Sequence, residues 1–322
     1  MSSFDAKRER EREKRERKRK RERERVNDAT FYAIQPLDLE ESLLDISLFE
    51  GKPVWRVKRS IMNFKFLVTM LNLFLFFLST THGFEIAGDE GFDWKVANIS
   101  VTLSAMAYCD KHSYLNREYT QQQLSNFIPT LNIISEEHDV NGFIGIQNDN
   151  IYVVFRGSQS FTNFLADLDI LQVEVEEYCE GCYVHEGFYN AAKTVIPTVT
   201  AEISRLTSLD PTLKEVVVTG HSLGAALATI SAVELTLINL NGLKVRLFNF
   251  GSPRVANKEG AEFFSTRLSD KYRVTRVKDV VPHLPFSVAF SHISGEFYQD
   301  QNEYVHRCTG VEDPTCAAQW VR

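Results

Sequence analysis

This chain of 322 residues lacks the features that mark several common protein classes. It has no Gly-x-Gly-x-x-Gly run and no phosphate-binding loop, so nothing in it indicates a nucleotide-binding domain. It has one Cys-x-x-Cys pair, but no second pair and no nearby pair of histidines completes a metal site. Its main apolar run, 66–78, is 13 residues long, shorter than the about 20 residues that span a bilayer comfortably. We expect no metal and no organic cofactor.

An excess of positive charge is found in only one segment. Residues 7–25 are all charged, with 13 Lys or Arg and 6 Glu, whereas the whole chain has a net charge of −7. The remainder is therefore strongly acidic and has no electrostatic reason to bind nucleic acid or anionic lipid broadly. The segment itself has no apolar residue to bury, which predicts disorder. A polybasic arm remains one interpretation, but a solvated low-complexity tail, or sequence upstream of the true start, is favoured.

Residues 62–83 are typical of a secretory signal peptide. Lys65 precedes the apolar run 66–78, and Thr81 and Gly83 follow with the spacing of a small-residue cleavage site. We predict that residues 1–61 are a charged tail or a gene-model extension, and that the mature chain, 84–322, begins near Phe84. If Met1 is the true start, 66–78 is instead a signal anchor. On either interpretation the domain is secreted or lies in the secretory lumen.

The five cysteines fit an oxidising compartment. Cys179 and Cys182 are spaced for a short-loop disulfide, and Cys308 and Cys316 for a second small loop. This pairing leaves Cys109 without a partner.

Strands and helices alternate along the rest of the chain. A hairpin is predicted over 142–155, and a β-branched strand over 215–219. Helical apolar periodicity covers 186–206, where Pro197 should kink or shorten the helix, and small residues open a second helix over 223–240. Further strands are predicted at 245–250 and 272–277, with a helix at 259–268 between them. This alternation predicts an α/β domain with a mostly parallel sheet.

The candidate chemistry lies in Gly220-His221-Ser222-Leu223-Gly224. A Gly-x-Ser-x-Gly run is weak evidence alone, but this one follows a β-branched strand and precedes a small-residue helix, which is the context of a nucleophile elbow. In such an elbow the serine occupies a strained turn, and the glycines leave space around it. The amide of Leu223 then faces a developing oxyanion at the helix N-terminus.

Several motifs occur together in a characteristic order between residues 94 and 316. They are Phe155-Arg-Gly-Ser-Gln-Ser, Cys179-Glu-Gly-Cys-Tyr-Val-His-Glu-Gly-Phe, the Ser222 elbow, Phe248-Asn-Phe-Gly-Ser-Pro-Arg-Val and Lys278-Asp-Val-Val-Pro-His-Leu-Pro. This set resembles the class 3, or fungal-type, lipase family of the α/β-hydrolase superfamily. The resemblance implies a mostly parallel central sheet with helices on both faces, and hydrolysis of acylglycerols or related lipid esters.

The resemblance also implies roles for individual residues. Ser222 resembles the family's nucleophile and Asp279 the acid that orients the catalytic imidazole, while Ser158 and Leu223 resemble the two oxyanion donors. The family's lid corresponds to residues 160–171, which begin at Ser160 and end at Leu171 and carry an apolar face for a lipid–water interface.

The catalytic histidine is missing from its expected place. In the family the catalytic histidine follows a loop that resembles the one between Cys308 and Cys316. Cys109 resembles a family cysteine whose disulfide partner also lies beyond that loop. None of the eight histidines matches that position; His292 is only a weak stand-in. We therefore expect a C-terminal truncation.

The leading hypothesis is a serine ester hydrolase, and the alternative is a catalytically impaired homologue that binds lipid. Triacylglycerol, phospholipid, galactolipid and aryl ester all remain candidate substrates.

Overall fold

The computed structural model describes residues 92–109, 114–116, 124–159, 170–240, 242–286 and 288–320. The charged tail, the signal-like segment and the start predicted near Phe84 lie outside these residues, as does most of the proposed lid. Among the helices within the described ranges, none is both long enough and apolar enough to cross a membrane.

Eight strands form one mixed sheet, in the spatial order β1-β2-β3-β6-β7-β8-β9-β10. Their bounds are β1 Ile128–Ser135, β2 Val140–Gln147, β3 Asn150–Phe155, β6 Glu215–His221, β7 Lys244–Phe250, β8 Asp270–Arg276, β9 Glu296–Gln299 and β10 Val305–Arg307. The five central strands, β3 and β6 to β9, run parallel, and antiparallel pairs lie at the two sides. A separate two-stranded sheet pairs β4, Gln172–Glu174, with β5, Tyr183–His185. The predicted α/β class with a mostly parallel sheet is confirmed.

Four α-helices complete the described fold: α1 Trp94–Met106, α2 Glu186–Leu209, α3 Leu223–Ile238 and α4 Lys258–Arg267. The predicted hairpin, strands and helices are confirmed to within a few residues, but α2 extends beyond its predicted end and keeps Pro197 inside it. Burial of its apolar face, which includes Val199, Ile203 and Leu206, outweighs the about 3 kcal/mol that an internal proline costs.

The central strands bury both of their faces, which explains their β-branched composition. In β6, Val216 and Val218 join the core that contains α2 and α3, whereas Val217 joins the core that contains α1. Strand β3 alternates in the same way, with Val153 in the first core and Val154 in the second. Helices therefore cover both faces of the sheet, and the carboxyl ends of its parallel strands meet along one edge.

Both predicted disulfides are present in the structure. Cys179 bonds Cys182 next to β5, and Cys308 bonds Cys316 beyond β10. Cys109 is a free and partly exposed thiol.

Candidate active site

Ser222 occupies a sharp turn between β6 and α3, as the elbow motif predicts. Its φ is 57° and its ψ is −125°, a conformation that residues with a side chain rarely adopt. A Cβ on Gly220 would lie 2.3 Å from the carbonyl oxygen of Gly224, and a Cβ on Gly224 would lie 2.3 Å from that of Phe155. Only glycine therefore fits on either side of the turn. The amide of Ser222 donates to the carbonyl of Phe250 at 3.0 Å, which ties the elbow to β7.

The two candidate oxyanion donors lie on neighbouring elements. Leu223 is the first residue of α3, and amides in the first turn of a helix have no partner within the helix. Ser158 lies three residues beyond β3, which pairs with β6 so that Phe155 is opposite Gly220. A Cβ on Gly157 would lie 2.6 Å from the carbonyl oxygen of His221. The backbone that carries Ser158 therefore passes directly beside the elbow.

Asp279 lies just beyond β8, at the same edge of the sheet as Ser222. A Cβ on Gly251, which follows β7, would lie 2.7 Å from Asp279 Oδ2 and 3.6 Å from Nε2 of His221. The side chains of Asp279 and His221 therefore approach each other across this glycine. Asp279 Oδ1 accepts a hydrogen bond from the amide of Val281 at 3.0 Å. Burial raises the pKa of Asp279 from its ordinary value of 3.8 to about 6, against the opposing effects of that hydrogen bond and of Arg276.

His221 is fixed by a residue that the sequence analysis did not single out. The Tyr108 hydroxyl and His221 Nδ1 are 2.7 Å apart, and the amide of Gly157 also bonds the Tyr108 hydroxyl. Burial lowers the pKa of His221 to about 4, so its ring is neutral at pH 7. Tyr108 thus links the residue before Ser158 to the residue before Ser222. In the sequence, the only feature that drew attention to Tyr108 is that it precedes Cys109.

His292 does not present its Nε2 to Ser222. That nitrogen lies 2.6 Å from the carbonyl oxygen of Pro282, and the side chain is buried. Burial lowers the pKa of His292 well below its ordinary value, so the neutral ring donates this bond. The structure therefore brings Ser222, Asp279 and the segment of Ser158 to one edge of the sheet, and joins His292 to the backbone that follows Asp279.

The remaining described histidines have other surroundings. His185 caps α2, and its Nδ1 accepts from the amide of Phe188 at 3.4 Å. His306 lies 2.9 Å from Asp300, and His138 lies 4.0 Å from Glu137. His283 belongs to the 3₁₀ turn Val281–His283. His82 and His112 lie outside the described residues.

Residues 152–289 match the family model described as lipase (class 3). Among curated proteins, the chain is 32% identical over 195 residues to the secreted mono- and diacylglycerol lipase 1 of Fusarium solani, with 57% of each chain covered. It is 34% identical over 163 residues to the secreted mono- and diacylglycerol lipase A of Penicillium cyclopium, covering 50% of this chain and 52% of that one. The chain thus spans a little over half the length of these curated relatives.

The fold has the same relatives. The Rhizomucor miehei lipase, solved as a propeptide complex, is similar with a TM-score of 0.66 and 28% identity, over 73% of this chain and 78% of that chain. The family model, the sequence relatives and the structural neighbour all match the α/β domain that contains Ser222. Residues 152–289 are thus similar to the class 3 lipase family, and the described domain has the α/β-hydrolase fold.

Proposed function

We propose that the chain is a serine ester hydrolase that acts on acylglycerols or related lipids. One observation carries the proposal: Ser222 sits in a strained turn at the N-terminus of α3, with the Asp279 carboxylate at the same edge of the sheet. A hydroxyl held in this way lies at the N-terminus of a helix, close to amides that stabilise negative charge. The names of the curated relatives, mono- and diacylglycerol lipases, support acylglycerols as the substrate class.

The proposed reaction is acyl transfer to water in two steps. Ser222 Oγ attacks the ester carbonyl while an imidazole takes its proton, and the oxyanion is stabilised by the Leu223 amide and by Ser158. The imidazolium then gives the proton to the leaving alcohol, which departs. A water molecule, activated by the same imidazole, hydrolyses the acyl-enzyme and releases the fatty acid.

We assign the imidazole to a histidine other than the six that the structure describes. Among described residues only the Val281 amide donates to Asp279, and it bonds Oδ1. An imidazolium beside Oδ2 would lower the raised pKa of this carboxyl, because an opposite charge favours the ionised form. His292 is bonded to Pro282, and His221, next to Ser222 at the end of β6, is bonded to Tyr108.

Hydrolysis of p-nitrophenyl butyrate by the full chain tests the proposal. In protein that carries the catalytic imidazole, we expect Ser222→Ala to lower kcat by at least about 10⁴-fold. Ser231→Ala is a matched control, because Ser231 is a buried serine of the same helix whose hydroxyl makes no hydrogen bond within the described structure. Equal rates for the parent and Ser222→Ala would contradict the proposal and favour the alternative, a homologue that binds lipid without turnover.

We propose that residues 160–171 form a lid that meets a lipid–water interface. At its end, Ile170 is 45% exposed, and the adjacent Gln172 donates to the carbonyl of Ala289 at 2.8 Å. This bond links the lid to a loop in which Phe286 is 62% and Val288 is 98% exposed, so apolar side chains lie on both segments. We expect the hydrolysis rate to rise sharply when tributyrin exceeds its solubility limit, and Phe286→Ser to reduce that rise. A rate that follows monomeric substrate alone would contradict the lid.

We also propose that the protein is secreted. The two disulfides, the signal-like segment 62–83 and the relatives named as secreted lipases support this location. N-terminal sequencing of protein from the medium of expressing cells should begin near Phe84. Recovery of the Arg/Glu segment on the secreted chain would contradict the cleavage.

A further inference from the structure

One buried arginine joins three separate segments beside the candidate active site. Arg254 follows β7 and its side chain is 2% exposed. Its Nε and Nη2 donate to the two carboxylate oxygens of Glu312 at 2.8 and 3.0 Å, and its Nη1 donates to the carbonyl of Pro285 at 2.9 Å. Its backbone amide donates to the carbonyl of Leu284 at 2.7 Å. All three guanidinium nitrogens are therefore engaged.

Two of these bonds hold the turn that carries Asp279. After Asp279 the chain makes the short 3₁₀ turn Val281–His283 and reaches Leu284 and Pro285, whose carbonyls Arg254 binds. Within the turn, the Val281 amide bonds the Asp279 carboxylate. The position of the carboxylate therefore depends on the backbone path from 281 to 285, and Arg254 holds the far end of that path.

Glu312 is presented by a small cross-linked loop. The Cys308–Cys316 disulfide closes the loop, and Asp313 inside it accepts four hydrogen bonds of 2.6 to 2.9 Å from the amides and hydroxyls of Thr309 and Thr315. The Cys308 amide donates to the carbonyl of Glu296 on β9 at 3.0 Å. The loop is thus stiff and attached to the sheet, which gives Glu312 a defined place.

The pair is suited to a positioning role. A bidentate arginine–carboxylate pair fixes direction as well as distance. Arg254 is almost fully buried, so removal of the Glu312 charge would leave its own charge uncompensated and favour its movement toward water. That movement would release the carbonyl of Pro285 and leave this end of the turn held only by the bond between the Arg254 amide and the carbonyl of Leu284.

We propose that the Glu312–Arg254 pair holds the turn of Asp279 in its working conformation, and so couples the Cys308–Cys316 loop to ester hydrolysis. Arg254 and Glu312 are positioning residues that act on the substrate only through Asp279. The catalytic part of this inference rests on the proposed function, whereas the conformational part does not.

Hydrogen exchange tests the conformational part without any need for activity. The full chain is compared with Glu312→Gln, with Arg254→Lys, which keeps the charge but not the forked geometry, and with Glu202→Gln. The last is a matched control, since Arg205 also donates to both oxygens of Glu202, at 2.7 and 2.8 Å, but on helix α2. We expect at least tenfold faster exchange in peptides covering 279–286 for the first two variants, with the parent rate in the control. Parent-like exchange of this segment in Glu312→Gln would overturn the proposal.

A second variant covers the case in which these substitutions prevent folding. Cys308→Ser with Cys316→Ser leaves both Arg254 and Glu312 in place and removes only the cross-link. We expect the same acceleration of exchange at 279–286. Unchanged exchange there in a folded double variant would overturn the coupling to the loop.

Kinetics test the catalytic part. A displacement of about 1 Å costs up to about 10²-fold in rate, so Glu312→Gln should lower kcat at least tenfold while KM for p-nitrophenyl butyrate stays within twofold of the parent. Arg254→Lys should not restore the rate, and Glu202→Gln should match the parent. Faster exchange with unchanged kcat would overturn the catalytic role. If the parent is no faster than Ser222→Ala, the proposed function fails, and the exchange result still decides whether the pair holds the turn.

Discussion

The two sides of the candidate active site are held in different ways. Ser222 is placed by close backbone contacts of its own motif: Gly220 and Gly224 face each other, and Gly224 faces β3. Asp279 is placed from a distance, since Arg254 and His292 bind the carbonyls that follow it and Glu312 binds Arg254. The geometry of the proposed nucleophile is therefore set by residues close to it in sequence, whereas that of the proposed acid depends on residues brought together by folding. The position of Ser222 is therefore maintained by steric contacts, and that of Asp279 by hydrogen bonds and an ion pair.

The largest effect should come from filling the space at the elbow. Gly224→Ala places a Cβ 2.3 Å from the carbonyl oxygen of Phe155, so either β3 or α3 must move. We expect a loss of about 3 kcal/mol or more in the free energy of unfolding, together with the loss of esterase activity. Urea unfolding measures the first quantity.

Gly187→Ala is the matched control. Gly187 lies in the first turn of α2, and a Cβ there would meet its nearest neighbours at 3.5 and 3.6 Å, which is ordinary contact. We expect a change within about 1 kcal/mol, and in the stabilising direction. Equal losses at the two glycines would show that the elbow has no special steric constraint.

Asp279→Asn should separate activity from stability. In the folded protein burial raises the pKa of Asp279 to about 6, above its value in the unfolded chain. The favourable contribution of this group is therefore complete below pH 3.8 and is lost as the pH rises through 6, up to about 3 kcal/mol. Asparagine carries no such cost. The variant should unfold at a higher urea concentration than the parent at pH 8, with about 10⁴-fold lower kcat if the acid orients an imidazole.

The pH dependence supplies the control for this prediction. Well below pH 3.8 the carboxyl is protonated in both states, so the stability difference between Asp279→Asn and the parent should vanish. A difference that stays constant from pH 4 to pH 8 would show that the burial of the charged carboxylate is not its cause.

The smallest effect should come from the hydroxyl that joins the two halves of the elbow region. Tyr108→Phe removes the partner of His221 Nδ1 and of the Gly157 amide, which should cost about 1–3 kcal/mol of unfolding free energy. Tyr304→Phe, at a residue that is 56% exposed, is the control and should be neutral. If the two substitutions have equal effects on the urea midpoint, the buried bond is not stabilising.

The same contrast explains what the sequence could reveal. Strand β6, helix α3 and the turn at Ser222 are visible because β-branched residues, small residues and two glycines follow one another without interruption. Strand β9 gave no such signal, because its ends are polar: Glu296 and Gln299 are buried. Glu296 is buried against Arg273 of β8 at 2.9 Å, a contact between residues 23 positions apart.

Some residues of the candidate site can be predicted from local sequence, and others cannot. The proposed nucleophile and the proposed acid follow from short motifs, but Tyr108 and Arg254 carry no local sign of their role. Tyr108 meets His221 across 113 positions, and Arg254 meets Glu312 across 58. Pattern reasoning on one sequence reaches over a few residues, so contacts of this length appear only once the sheet has brought the strands together. The length of α2 was misjudged for a related reason, because burial against the sheet outweighs the local effect of Pro197.

Covalent labelling of Ser222 tests the central claim most directly. The full chain is treated with a p-nitrophenyl alkylphosphonate, which reacts with a serine only where the hydroxyl is activated and an oxyanion is stabilised, and the modified peptide is identified by mass spectrometry. We predict one adduct, at Ser222, that is absent from Ser222→Ala and unchanged in Ser231→Ala. A protein that is folded but remains unlabelled, or that is labelled at a different serine, would contradict the claim that the elbow is a nucleophile site.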